Sequence, residues 1–462
     1  MGLTAELAQY IADSKSLVLD DAVLSTVRNG FIDTVGVMVA GKDEPVTGVM
    51  RLFVANQQGR LEEARILLGP QRCAARDAAL INATAGHALD YDDVGLMGHP
   101  SVVLVPALLA EGERITASGL DLMRSYLVGY EVWAELVSRD PDKLHDKGWH
   151  PTAVFGVVAV AAAVAALRGL NAVHTRHALG LAATMAGGLI ANFGSMAKPF
   201  HAGQAAAHGI DAVNLASLGM TASPDMLEHR CGFLAAFSPK GHADVSPLSG
   251  DFRHQNWIKS RGLGVKKYPM CFATHRVIDA VLDLAATHDL HSDRIRSVRA
   301  IIGKTQASIL PNPQPTNALE AKFSVQFAVA AALVARRVGL GELVDAFVQR
   351  DAVRQLFDRV EVGTVDTVCP EETTLALSDR VLIETLDGHI FDSGEVYHAR
   401  GSFGAPLAAS DLEAKFLDCV RCEPSVDGPL WYRRLSELEA CDDVSRLFVS
   451  GNPAAYFPLG AQ

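Results

Sequence analysis

RIRSVRAIIG, from Arg294 to Gly303, is the stretch where this chain changes its period. Apolar and polar residues alternate along it, the spacing of a half-buried strand. Two later runs read the same way. RVEVGTV (359–365) is short and valine-rich, and RVLIETLDGHIFDSGEVY (380–397) sets an Asp-Gly pair between two alternating runs, which predicts a hairpin. Between the first strand and the second lies KFSVQFAVAAALVARRV (322–338), which reads as a helix. Residues 266–400 are therefore expected to form a small α+β domain.

Upstream of that change nearly everything is helical. LAQYIADSK, TVRNGFIDTVGVMVA, DAALINATAGHAL and LVPALLAEGERI repeat apolar residues at threes and fours. ASGLDLMRSYLVGYEVWAEL opens with Ser118 before Gly-Leu-Asp, a helix start. Ala and Gly dominate from 153 to 220, which implies helices packed at short axial distance. Beyond 400 the helical pattern returns in LAASDLEAKFLDCV. The expected fold is mainly α: the last segment (401–462) could return to the first helical part (1–265), giving a discontinuous large helical domain with the α+β domain (266–400) inserted.

A chain of 462 residues exceeds a usual single core, which agrees with two domains. Its 41 basic and 53 acidic residues leave a net charge of -12, so no nucleic-acid partner is expected, because phosphate binding needs a basic face. A local basic pocket for an anionic substrate is still allowed. The most apolar run, AVFGVVAVAAAVAAL (153–167), falls short of the roughly 18 residues a spanning helix needs, so it reads as a core helix and no membrane is expected. The first residues lack the basic start and apolar run of a signal peptide. Of seven cysteines only CVRC (Cys419, Cys422) is closely spaced, and it ends a helical stretch, which suits thiols in a reducing cytoplasm.

Four islands set ionisable residues beside Gly or Pro near apolar helices: HALDYDDVGLMGHPS (87–101), DKGWHPTAVFG (146–156), NFGSMAKPFHAGQAAAHG (192–209) and KKYPMCFATHRV (266–277). In the first, Asp90, Asp92, Asp93 and His99 crowd together with no Lys or Arg to balance them. Taken singly, each acid could be an ordinary loop carboxylate, and His150 a satisfied polar side chain. Lys198 is harder to dismiss, because a lysine interrupting an apolar, Gly-rich run needs a partner or a bound anion. His201 lies about one helical turn further on, and Thr274 is a possible cap for a helix beginning at His275.

A metal site would need converging ligands. DYDD with His99 offers them, but there is no HxxxH, and the neighbouring Asp92 and Asp93 should diverge, so no metal is expected. No GxSxG nucleophile elbow and no GxGxxG after a strand is present. DxDD also occurs in terpene cyclases, but 6% aromatic residues poorly support their aromatic-lined pocket.

Taken in order, HALDYDD…GHPS, GWHPTAVFG, AKPFHAGQAAAHG and YPMCFATH resemble the 2-methylcitrate dehydratase (MmgE/PrpD) family, which includes cis-aconitate decarboxylase and iminodisuccinate epimerase. LEAKFSVQFAVAAALV and ARGSFGAPLAASDLEAKF extend the likeness over nearly the whole chain. The resemblance implies a helical domain made from both ends of the chain, an α+β lid with the active site between them, a homodimer, and no metal or organic cofactor. By the same resemblance Asp90, His99, His150, Lys198 and His275 are the catalytic candidates. Asp93, Lys198, His201, Lys267 and Tyr268 are the candidate substrate contacts. Val94 stands where relatives that dehydrate or decarboxylate often carry Thr, and FGAPL departs from relatives with Asn before the Pro.

The expected substrate is a small di- or tricarboxylic acid. Removing a proton beside a carboxylate builds negative charge, which a cation such as Lys198 would stabilise while a histidine moves the proton. His150 or His275 would abstract or return it, with Asp90 and His99 orienting the site or supplying a second proton. The leading expectation is a 2-methylcitrate dehydratase-like hydro-lyase. Epimerisation of an iminodisuccinate-like acid comes next, then cis-aconitate-type decarboxylation, with a non-catalytic carboxylate-binding protein as the alternative outside enzymes.

Overall fold

The protein is described from a computed structural model covering residues 2–57, 61–249, 252, 256–370, 372 and 374–449. It divides into two units, 1–265 with 412–462, and 266–411. The second unit thus runs on to Asp411, where the sequence pattern suggests an end at 400. The cause is local: Gly401 N–H donates to Ala405 O (2.7 Å), and Asp411, in the first turn of the helix Ala409–Val420, pairs with Lys267 (3.0 Å), so residues up to Asp411 stay with the second unit.

Nine helices build most of the first unit: α1 (Leu3–Ala12), α2 (Asp21–Ala40), α3 (Pro45–Ala55), α4 (Ala75–Ala88), α5 (Pro100–Ile115), α6 (Gly119–Ser138), α7 (Pro151–Arg168), α8 (Ala172–Thr184) and α9 (Ala197–Ser217). Ser118 caps α6 by accepting the Asp121 N–H (3.1 Å). The unit is not purely helical. A two-residue ladder, β1 (Ala64–Arg65) with β2 (Arg72–Cys73), lies in it and is too short to leave a periodic signal.

Helix α9 packs along both α4 and α7. Gly203 allows the first approach, since a Cβ there would collide with Leu80 O and Thr84 Oγ1. Gly209 allows the second, where a Cβ would meet Val160 Cγ1 at 2.5 Å. Such contacts are possible only for glycine in a close-packed interior. Helix α7 is long and apolar enough to cross a membrane, but it is buried along almost its whole length, mainly against α5, α6, α8 and α9.

In the second unit β3 (Ile295–Gly303), β4 (Val360–Val365), β5 (Arg380–Thr385) and β6 (Ile390–Asp392) form one sheet in the order β4-β3-β5-β6. β4 runs parallel to β3, while β5 and β6 are antiparallel to their neighbours. Ile295 and Val298 are both buried though three residues apart. A register shift between Ile295 and Ser297 absorbs the extra residue and puts both side chains on the core face. The helices His275–Thr287 and Val325–Ala335 pack on each other and on this sheet. Thr274 sits at the first boundary without capping it. Its hydroxyl donates back to Cys271 O (2.8 Å) across the single 3-10 turn that precedes the helix.

Candidate active site

Three helices of the first unit begin beside one cluster of side chains. α5 starts at Pro100, immediately after His99, and α7 starts at Pro151, immediately after His150. Proline suits the first helical position because its fixed φ is preorganised and its missing N–H would be unpaired there anyway. In both helices the histidine is thereby held at the mouth. α9 begins at Ala197 and carries Lys198 in its first turn.

The acidic stretch reaches the cluster through a distorted loop after α4. Asp90 has a left-handed backbone (φ 53°), which turns the chain away from the helix. Val94 exchanges two hydrogen bonds with Gly264 (2.7 and 2.8 Å). Gly95 and Gly98 then pair reciprocally (2.9 and 2.8 Å) across a turn in which Leu96 and Met97 both have positive φ, a strained choice for such residues. Trp133 Nε1 donates to Leu96 O (3.1 Å) and His99 N–H to Thr152 Oγ1 (3.2 Å), which holds the turn against α6 and α7.

The result is a more open front and a closed back. In front, the side chains of Asp90, Lys198 and His99 keep 20%, 17% and 13% of their exposure. Lys198 Nζ lies 2.7 Å from Asp90 Oδ1 and 5.2 Å from the centre of the Phe193 ring. His99 Nε2 is 4.0 Å from the same Asp90 oxygen. Behind them, His87 and Asp92 are buried. Asp92 receives His87 Nδ1 at 2.9 Å and His99 Nδ1 at 3.0 Å. Burial works against its charge, yet the two imidazoles hold its carboxyl well below the usual carboxylate range. Burial pushes His87 down to about 4, more than the neighbouring Asp92 recovers, so the ring is neutral at pH 7.

His150 is buried with its Nδ1 3.2 Å from His201 Nδ1, the edge of Phe193 nearby and the His87 ring stacked at 5.9 Å. Burial lowers its pKa, and the nearby Lys198 ammonium lowers it further. Burial and Lys198 also lower His201. One of the two touching nitrogens must donate and the other accept, so this pair is a neutral hydrogen-bonding unit.

Asp93 does not join the cluster. Its buried carboxyl is held by Ser101, whose hydroxyl also lies 2.6 Å from Tyr126 OH, and burial raises its pKa well above the ordinary range, with Asp33 adding to the effect. The Asp93 carboxyl is therefore bonded to the start of α5. Three other candidates belong to the second unit. Tyr268 donates its hydroxyl to Asp279 (2.6 Å), Lys267 pairs with Asp411 (3.0 Å), and His275 is fully buried with its ring against Tyr268 and Phe272. Tyr268 thus has a hydrogen-bond partner within its own unit.

The sequence reading overlooked His87 as a site residue and gave Asp92 no role. A histidine in the last turn of a small, apolar helix, five residues before an acid, was the available signal. Ligand-type atoms of His87, Asp90, Asp92 and His99 lie within 4.8 Å of one another, a spacing that could hold a cation. However, both imidazoles already meet Asp92 at hydrogen-bond distance and the Lys198 ammonium already neutralises Asp90, so a hydrogen-bonded acid–base network accounts for the cluster.

Residues 5–246 match the MmgE/PrpD N-terminal domain, and residues 268–427 match the MmgE/PrpD C-terminal domain. Over 436 residues the chain is 28% identical to cis-aconitate decarboxylase from Homo sapiens, covering 90% of this chain and 87% of that one. The enzyme of that name from Mus musculus is 27% identical over 96% of this chain and 93% of its own. One from Aspergillus terreus is 28% identical over 70% and 69%. With both domains matched in order, this chain belongs to the MmgE/PrpD family.

Proposed function

We propose that the protein is a lyase acting on a small carboxylic acid, and that its reaction is decarboxylation of an unsaturated tricarboxylate of the cis-aconitate class. The observation that carries the reading is the meeting of three helix N-termini with Lys198 beside a histidine pair and a His99–Asp92 pair. Helix N-termini and an ammonium favour carboxylates, and imidazoles move protons near pH 7. The cis-aconitate decarboxylase relatives put decarboxylation ahead of dehydration, the reverse of the order expected from sequence.

In such a substrate one carboxylate sits on a methylene next to the double bond. Loss of carbon dioxide leaves its electron pair to form a new double bond to the central carbon. The electrons of the old double bond pass to the far carbon, beside another carboxylate, which takes up one proton. Lys198 is placed to stabilise charge on that carboxylate as it grows. His99 is the proton carrier, because Asp92 holds its Nδ1 while its Nε2 faces Asp90 in the more open front. His150, held neutral, offers a hydrogen bond rather than a proton. His275 remains a candidate acid–base group on the family resemblance alone, and homodimer assembly rests on the same resemblance.

Epimerisation is the second reading, favoured by Val94 at the position where dehydrating and decarboxylating relatives often have Thr. It needs a proton removed from carbon and returned on the opposite face, with only that C–H bond broken and re-formed.

The test is proton NMR in D2O with cis-aconitate, citrate-like acids and amino-dicarboxylates, using wild-type protein and Lys198→Ala. We expect one acid to lose carbon dioxide and gain one deuterium, with turnover falling at least about a hundredfold in the variant. Water addition or loss would indicate a hydro-lyase, and deuterium exchange with inversion an epimerase. No reaction with any acid overturns the proposal, and full activity in Lys198→Ala overturns the role of the lysine.

A further inference from the structure

His87 and Asp92 form the buried back of the cluster, and nothing in the proton chemistry above uses His87. Their geometry nevertheless assigns protons. His99 Nδ1 lies 3.0 Å from Asp92 Oδ2 and 2.6 Å from Asp93 O. A carboxylate and a carbonyl can only accept, so this nitrogen must carry a hydrogen. The neutral ring then has its lone pair on Nε2, the atom that faces Asp90 at 4.0 Å in the more open front. His87 repeats the arrangement in mirror fashion. Its Nδ1 lies 3.0 and 2.9 Å from the two oxygens of Asp92. Its Nε2 is buried and has no hydrogen-bond partner among the described residues. A nitrogen without an acceptor is best left unprotonated there, which again puts the hydrogen on Nδ1.

We infer that Asp92 is the positioning residue of the reaction: it fixes the proton of His99 on Nδ1, presents Nε2 as the reactive atom, and is itself held in place by His87. This rests on the reading of the site as an acid–base lyase and adds to it the group that orients its proton carrier. The arrangement explains why Asp92 is ionised although buried. It also explains why the adjacent Asp93, which turns to Ser101, cannot replace it. An orienting carboxylate of this kind does three things for a histidine: it selects the tautomer, limits ring rotation, and stabilises the charged form when the ring takes a proton. His87 supplies the donor that a lone buried carboxylate would otherwise lack.

The inference is tested by two measurements on the full chain. The first needs no substrate: imidazole 15N NMR of histidine-labelled protein, with His99→Gln used to assign the resonance. Above the titration of the ring, His99 is expected as the Nδ1–H tautomer, and a ring protonated on Nε2 overturns the inference. The second is steady-state kinetics of Asp92→Asn on the acid identified by the substrate panel. We expect kcat to fall at least about a hundredfold with KM within about threefold. The histidine limb of the kcat–pH profile is also expected to move to lower pH. A purely structural role would not move that limb, and unchanged kcat and profile in a folded variant overturn the inference. Should Asp92→Asn not fold, the wild-type tautomer still decides. If no acid on the panel reacts while His99 carries its proton on Nδ1, the lyase reading fails and the positioning stands.

Discussion

Asp90 combines two demands that few residues meet together. Its backbone is left-handed (φ 53°), and its carboxylate pairs with Lys198 at 2.7 Å. Asp and Asn tolerate this conformation because their short polar side chains bond locally, whereas Ala adds strain of about 1 kcal/mol. Charge and conformation can therefore be separated. Asp90→Asn is expected to keep its melting temperature within a few degrees while turnover falls about a hundredfold. Asp90→Ala should lose similar turnover and melt lower than Asp90→Asn. Thermal melts with parallel assays distinguish the two, and equal melting temperatures would mean the turn carries no strain at this residue. The same scale explains what the sequence left unread. Asp92 and Asp93 are adjacent and chemically alike, and their neighbours do not say which will meet a histidine. The left-handed residue before them and the paired glycines after them decide it, sending Asp92 to His87 and His99 and Asp93 to Ser101.

Among the elements, the short helix Trp257–Arg261 shows how a distant carboxylate supports the acidic loop. Glu131 on α6 accepts the N–H groups of Trp257 (2.8 Å) and Ile258 (2.9 Å). Tyr130 then donates to Gly262 O, and Gly264 pairs with Val94. Burial raises the Glu131 carboxyl from 4.5 to about 7. The folded state therefore holds a proton that the unfolded state releases at lower pH. Its stabilising effect is complete below pH 4.5 and is lost as pH rises through about 7. Glu131→Gln cannot titrate. Relative to wild type it should gain stability between about pH 5 and 8, by on the order of 3 kcal/mol in total. Urea unfolding across that range measures the difference, and parallel curves would show that Glu131 does not titrate there. At this scale much was legible. Alternation located β3, β4 and the β5–β6 hairpin, and small residues forecast the close packing of α9. The parallel pairing of β4 with β3 was not legible, because register is fixed by packing between segments some sixty positions apart.

For the molecule as a whole, the chain leaves the helical unit at 265 and returns to it at 412. The return matters to the site through Lys415 on the helix Ala409–Val420, whose residues from Leu412 onward belong to the first unit. Lys415 Nζ lies 2.5 Å from Asp33 on α2, donates to Tyr91 O at 2.8 Å and sits 3.9 Å from the centre of the Tyr91 ring. Tyr91 stands between Asp90 and Asp92, so this buried lysine fastens the acidic loop from the far end of the sequence. The helical pattern after 400 indicated that the chain returns, but an isolated lysine on an amphipathic helix reads as solvent-facing, and only the position of Asp33 reveals its burial. Removing one member of a buried ion pair leaves the other charge uncompensated, which costs about 3–5 kcal/mol, whereas replacing both by apolar groups of similar size is often close to neutral. Lys415→Met is therefore expected to destabilise the helical unit by about 3–5 kcal/mol and to lower turnover as the loop loosens. Lys415→Met with Asp33→Leu should recover most of the stability but not the turnover, because the bond to Tyr91 O is still missing. Denaturant unfolding and assays of the single and double variants provide the check. Full recovery of both properties in the double variant would show that Lys415 serves only to neutralise Asp33, and that the return segment has no hold on the loop.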